Sequence, residues 1–292
     1  MIVVATVSPQ LLRSARRRGR LNRAARRSLG PKPPRAAALR LARSITKKLD
    51  RFKRDVEEIL FPELDKLAVA AVVTDSADRL DAVPGHIQGK LDILALRLQT
   101  AFRDTAVVED LELAAEDVAK FNQAQLRKVL GVSIVEADAG IAAQIDNFIA
   151  INTSRIKTLA GSQLQGLKDI LERPGALGST HTSALKKEIE QFLGTKTRAR
   201  AALIARDQTL TLNAQITRNR QQNAGIREYV WTTSGDERVR DTHAELDGTV
   251  QRWDDPPVTS DDGRTNHPGE DYQCRCTAFP VLPELGTERF TP

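Results

Sequence analysis

A chain of 292 residues, 40% hydrophobic and 4% aromatic, has apolar material for one large domain or two ordinary ones. Its longest apolar run, LAVAAVV at 67–73, falls far short of the roughly 20 residues that span a bilayer. The opening MIVVATV is too short for a secretory signal, and its arginines follow instead of precede it. No membrane segment is expected. The reading is a soluble protein made and used in a cytoplasm, where two cysteines do not form a disulfide framework.

Charge is divided along the chain. Residues 1–54 hold 17 Lys and Arg against one acid, Asp50, so they carry +16 of a formal net +6 and leave −10 for residues 55–292. Such a concentration of base points to a polyanionic partner, either nucleic acid or an acidic protein face. Residues 1–35 read as a basic N-terminal arm rich in Arg, Gly and Pro, ordered by whatever it binds. Its Arg13, Arg16, Arg17, Arg18, Arg20, Arg23, Arg26 and Arg27 are the candidate contacts, and the interaction is expected to lie within residues 13–54. No aromatic residue interleaves with these arginines, so any DNA contact should be sequence-independent.

Residues 36–225 read as a helical body of six to eight helices, because apolar residues recur at three and four. Leu111, Ala115, Val118 and Val129 share one face of a helix over 107–130. Ile141, Ile145, Phe148, Ile156 and Leu159, continued by Leu164, Leu167 and Leu171, share another that ends near ERPG at 172–175. AVPG (82–85), GVS (131–133) and RPG (173–175) are breakers. STHTSALKKEIEQFLG (179–194) has Ser or Thr caps and a terminal Gly, and a long helix follows over 196–222.

After Gly225 the texture changes. REYVWTT (227–233), GTVQRW (248–253) and CTAFPVL (276–282) have strand composition, and SGDERVRDTHAEL reads as a turn and short helix with Ser234 or Asp236 near its N-cap. Between the last two strands lies a polar, Pro- and Gly-rich loop that needs something to hold it. Both tryptophans and both tyrosines (Tyr229, Trp231, Trp253, Tyr272) lie in this stretch, so residues 226–292 form a differently built part. The fold class is α+β: a mainly α-helical, elongated body with a small C-terminal α+β module stapled by a metal site.

The staple would come from His243, His267, Cys274 and Cys276, spaced His-x23-His-x6-Cys-x-Cys. Imidazole and thiolate are the ligands zinc favours in four-coordinate sites, and zinc in finger peptides contributes on the order of 10 kcal/mol. A strained Cys-x-Cys disulfide, or two unrelated buried thiols beside solvated histidines, fits the same spacing. A catalytic site would need an open metal position and a base, for which Glu270, Asp271, Asp241 and Glu245 are nearby acids. The chain has no His-Glu-x-x-His, Gly-x-Ser-x-Gly or P-loop. Arg238 and Arg240 could converge on a phosphate or pair internally with Asp236, Glu237 or Asp241. Residues 230–292 hold 13 acids against 6 bases, which makes this module a poor general DNA binder.

The stretch YVWTTSGDERVRDTHAELDGTVQRWDDPP…NHPGEDYQCRCTAFPVL resembles the head-morphogenesis module of the phage Mu protein F-like minor head proteins. The likeness is carried by Trp231, Asp236, Arg238, Arg240, His243, Gly248, His267-Pro268 and Cys274-Arg275-Cys276, over about 200–283. It implies a structural role within the module for Trp231, Asp236, Arg238, Arg240, Gly248 and Pro268, and it strengthens the zinc reading. It also implies a non-enzymatic minor component of a tailed-phage head, found in the virion inside the head or at the portal, and in host cytoplasm during assembly. Its partners would be the portal, the major capsid or a scaffold protein, with packaged double-stranded DNA met by the basic arm. The alternative is a metal-dependent hydrolase, nuclease or effector delivered with the virion.

Overall fold

The computed structural model describes residues 32–74, 83–130, 140–177 and 182–282. All eight candidate arm arginines, Arg13 to Arg27, lie outside the described residues. Seven helices precede the sheet among the described residues: α1 (Arg35–Ile59), α2 (Phe61–Thr74), α3 (Gly85–Ala101), α4 (Asp104–Leu130), α5 (Ile141–Glu172), α6 (Thr182–Leu193) and α7 (Thr195–Asn223). The last part holds β1 (Glu228–Thr232), the short α8 (Asp241–Leu246), β2 (Val250–Arg252) and β3 (Thr277–Val281). The chain is therefore a mainly helical α+β protein with a small antiparallel sheet near its C-terminus. No described helix is long and apolar enough to cross a membrane.

The chain divides into two compact units: Met1–Ala38 with Leu113–Phe148 and Arg206–Pro292, and Leu39–Glu112 with Ile149–Ala205. The second unit is a helical assembly. Its core takes Leu41, Ile45, Leu49, Phe52 and Val56 from α1, and Ile87, Leu91, Leu94 and Leu98 from α3. Each set recurs at three and four residues, the spacing that puts apolar side chains on one helix face. Ile156, Leu159, Leu167 and Leu171 of α5 and Leu185, Ile189 and Leu193 of α6 complete it.

That packing bears on the basic residues that follow the arm. Residues 35–54 belong to a helix with a buried face, and several of its bases are engaged within the unit: Lys48 with Asp110, Arg51 with Asp55 and Lys53 with Glu57.

In the first unit, the three strands order as β2-β1-β3, all antiparallel, with Tyr229 opposite Gln251 and Pro280. Four of the five β1 residues are buried, because both faces of that central strand are covered. Residues 206–223 of α7 are buried on nearly every side yet strongly polar, with Asp207, Gln208, Thr209, Asn213, Thr217, Arg220 and Gln221 all at 8% exposure or less. Buried polar groups must find partners, and these do. Asn122 Nδ2 donates to Asn213 Oδ1 (3.0 Å) and Thr217 Oγ1 (2.7 Å), and Arg220 donates to Asn122 Oδ1 (2.9 Å). Gln221 accepts from Trp253 Nε1 (3.2 Å) and donates to the Ala278 carbonyl (3.1 Å), which ties the helix to the sheet.

The expected N-cap at Ser234 or Asp236 is not formed. Helix α8 begins later, at Asp241, behind Arg240, which makes no side-chain cap. Asp236 is drawn instead to Arg275, in a two-pronged ion pair of 2.5 and 2.6 Å, and it accepts the Arg238 N–H at 3.2 Å.

Candidate metal centre

The module's core consists of Tyr229, Trp231, Trp253, Cys274, Cys276 and Ala278, with Leu246 packed against it. The central strand supplies the first two aromatic rings on one face, since residues two apart along a strand point the same way. Trp231 meets the His243 ring edge-on, centroids 5.4 Å apart. Tyr229 stacks obliquely on Trp253 at 4.2 Å, and the His267 ring lies 4.9 Å from Trp253.

His243 comes from α8, and both cysteines come from the segment that leads into β3. Gly248, at φ +88°, makes the turn between α8 and β2, and its N–H binds the Trp231 carbonyl at 2.8 Å. Gly269 sits at φ +91°, where an added Cβ would meet the Ala214 Cβ at 3.0 Å. The cysteine turn can approach α7 that closely only without a side chain there. Pro268 is buried beside it. Gln273 holds φ 56°, a left-handed conformation that costs a non-glycine residue about 1 kcal/mol or more. Asp207 of α7 accepts the Gln273 N–H at 2.6 Å, and Arg206 binds its side chain, so α7 fixes the turn that carries Cys274.

These elements bring His243, Cys274 and Cys276 together, with their ligand atoms within 4.8 Å of one another and all three residues buried. His243 Nδ1 lies 3.5 Å from Cys274 Sγ and 3.6 Å from Cys276 Sγ. A tetrahedral ion at about 2.3 Å from sulfur and about 2.0 Å from nitrogen separates those atoms by about 3.5 Å. The main-chain N–H groups of Gly269 and Cys276 both point at Cys274 Sγ, each at 3.4 Å, as donors that favour a thiolate. The cluster can hold a metal ion. His267 is not in the group. Its Nδ1 engages the Tyr229 hydroxyl at 2.9 Å, and its main-chain N–H is held by Glu270 at 2.9 Å.

The cluster residues shift one another's ionisation. The Cys276 thiol, with His243 beside it, pulls Cys274 well below the ordinary thiol range. Cys276 is pushed up by that same contact and by burial, against the influence of the Trp231 indole. His243 is raised to about 9, first by Asp271 and then by Cys274. Burial raises Asp271, but its hydrogen bonds with His243 and Thr259 outweigh this and leave it lowered. Tyr229 is pushed up by burial and by Glu270.

His267 behaves in the opposite way. Burial, aided by the Arg218 charge, lowers it to about 4, so it is neutral wherever the fold is intact. An unfolded chain protonates it near 6.5. Stability contributed by the neutral ring is thus complete above pH 6.5 and lost as pH falls toward 4, on the order of 3 kcal/mol in all. His243, raised to about 9, contributes with the opposite sign, and only near and above pH 6.5, where the unfolded chain releases its proton. Denaturant titrations of metal-free protein should show this loss, and His267→Gln should flatten it. An equal slope in both proteins would place the titrating group elsewhere.

The remaining expected residues fall around this centre. Arg240 donates to the Tyr272 carbonyl at 2.7 Å and Arg238 is exposed, so neither is arranged with the other around an anion. Trp231, Asp236, Gly248 and Pro268 all act inside the module. Sequence reasoning did not single out Tyr229, Trp253, Asp207 or Gln273 as supports of the site. Asp271 was noted only as a possible base.

The fold and site define a small α+β module built around a histidine–cysteine cluster that can hold a metal ion. Residues 173–279 match the family described as phage Mu protein F like protein, a span that includes every cluster residue. A Haemophilus influenzae (strain Rd) protein described as "Uncharacterized protein" is 37% identical over 142 residues. The alignment covers 49% of this chain and 30% of that relative. No solved structure matches the chain.

Proposed function

We propose that this protein is a minor head protein of a tailed bacteriophage, associated with the portal and acting without catalysis in head morphogenesis and in genome packaging or delivery. The observation that carries the reading is the family match over 173–279, which contains the whole cluster. The protein is organised as a basic arm (1–35), a helical body (36–225) and a Mu F-like module (226–292). Zinc is the metal. His243 Nδ1, Cys274 Sγ and Cys276 Sγ hold it; the fourth ligand expected from the sequence, His267, has its Nδ1 on the Tyr229 hydroxyl and its buried Nε2 without a hydrogen-bond partner among the described residues. Zinc suits two thiolates and an imidazole, lacks redox chemistry, and supplies binding energy that orders a polar loop. Donor residues exposed by 6% or less favour a structural metal over one that must admit substrate.

The arm meets packaged double-stranded DNA, while the portal, the major capsid or a scaffold protein receives the folded part. The protein resides in the head or at the portal and in host cytoplasm during assembly. Mass spectrometry of purified particles and procapsids tests this, with the protein expected in both at a few copies each. Its absence from heads at every stage of assembly overturns the reading.

A further inference from the structure

A histidine that binds a metal through one ring nitrogen must have the other nitrogen protonated, and whatever accepts that proton's hydrogen bond sets the orientation of the ring. In this protein the ring nitrogen facing the sulfurs is Nδ1. The other, Nε2, faces Asp271 Oδ2 at 3.1 Å, with both residues almost fully buried. We propose that Asp271 is the positioning residue of the metal centre, holding His243 with Nδ1 aimed at the ion and transmitting metal occupancy to the loop between β2 and β3. This inference rests on the zinc reading of the cluster.

Asp271 is the point where three parts of the site meet. Its second carboxylate oxygen, Oδ1, accepts from Asn266 Nδ2 at 2.9 Å, and the same amide reaches Thr259 Oγ1 at 3.3 Å. Thr259 is 1% exposed, and its carbonyl accepts the hydroxyl of Thr242, the residue before His243, at 2.8 Å. The Asp271 main-chain carbonyl accepts the Cys274 N–H at 2.9 Å. One residue therefore steers the histidine with its side chain and the first cysteine with its backbone. Asn266 and Thr259 meanwhile join it to the bridge of Val258 with Thr265 that closes the loop. The neighbouring Glu270 cannot substitute, because its carboxylate is spent on the His267 main-chain N–H.

The arrangement explains how so polar a segment stays ordered. Val258 is 57% exposed, and loop 254–273 places few apolar side chains in the core. Its order depends on a chain of hydrogen bonds that ends at a metal ligand. With the ion bound, His243 is fixed and Asp271 gains a permanent donor. Without the ion, only the Asp271 hydrogen bond and the edge-on packing of Trp231 hold the ring, and the chain loses its tie to the sulfurs.

The test is a competition titration of zinc against a chromophoric chelator, using the full-length protein. Asp271→Asn keeps the size of the side chain and removes its charge, and it should weaken zinc about 10- to 100-fold at unchanged stoichiometry. Acting through the histidine has a further consequence. In a His243→Cys background the metal is held by three sulfurs, and adding Asp271→Asn should then leave affinity unchanged. Cobalt(II) gives the matching spectroscopic result. Its visible bands should shift between wild type and Asp271→Asn, yet coincide between His243→Cys and the double variant.

Should Asp271→Asn fail to fold, Asn266→Ala retains the carboxylate and loosens only its support. It should lower affinity by roughly two- to tenfold, again only where His243 is present. An affinity unmoved by either substitution overturns the proposal, as does an equal loss in the cysteine background, which would make Asp271 a support of the loop alone. Wild-type protein that takes up no zinc overturns the metal reading itself, a different result from zinc bound indifferently to residue 271.

Discussion

Cys274→Ser should release the metal and loosen residues 254–276, while the helices of the other unit stay folded. A serine hydroxyl keeps its proton at neutral pH, whereas a cysteine ligates as the thiolate. The loss of one of two thiolates from a three-donor set should cost zinc affinity by roughly a thousandfold or more, out of binding free energies on the order of 10 kcal/mol for structural zinc. The consequences stay local because the donors are local. All three lie in the unit that contains Arg206–Pro292, and the core of Leu39–Glu112 with Ile149–Ala205 draws nothing from them. Hydrogen exchange should show faster amides at Thr259, Asn266 and Cys274, which are held by loop bonds to Arg264, Pro257 and Asp271. Amides of α3 and α6 should keep their protection. Treatment of wild-type protein with a chelator should reproduce the pattern. Equal protection across the loop in loaded and stripped protein would show that the fold holds it unaided, and the metal would then have no structural part.

The parts of this architecture legible in the sequence are those governed by short-range rules. Helices α4 to α7 end where GVS, RPG, Gly194 and Gly225 stop a repeat of three and four, and their observed bounds lie within a few residues of those breakers. Leu111, Ala115, Val118 and Val129 are buried as their spacing requires, while Ile145 and Leu164, at the edge of their stripe, are half-buried. The three strands declared themselves through aromatic and β-branched residues. Long-range pairing did not. Asp236 has the side chain of an N-cap, but a buried-edge arginine 39 positions later competes for it more strongly. The buried polar face in the latter half of α7 was not legible either, because Asn213 and Gln221 find their partners at Asn122 and Trp253, far away in the sequence. Nor could ligand chemistry alone separate His243 from His267. Both are buried imidazoles with suitable spacing, and only the fold turns one toward sulfur and the other toward a phenol.

Removing residues 1–31 should abolish DNA retention and leave zinc stoichiometry unchanged. That segment holds eight arginines between positions 13 and 27 and no acid. The cut must fall before Pro34 and Ala37, which are buried, because deletion through residue 54 would strip the α1 face from the core of its unit and confound binding with unfolding. Each phosphate neutralised on B-DNA contributes about −0.9 to the slope of log affinity against log salt. Engagement of all eight arginines would give a slope of about −7, and half of them still about −3.6. Between 50 and 200 mM salt, the larger slope corresponds to a loss of about 10⁴ in affinity. Replacement of all eight by lysine separates the two kinds of anionic partner. Diffuse phosphate neutralisation should survive it nearly intact, since the charge is kept. Docking on an acidic protein face should not, because an arginine fork binds a carboxylate in two places and an ammonium cannot copy it. A truncated protein that still holds DNA with the same salt slope would move the contact to the folded part, where the module's 13 acids against 6 bases over 230–292 already weigh against it.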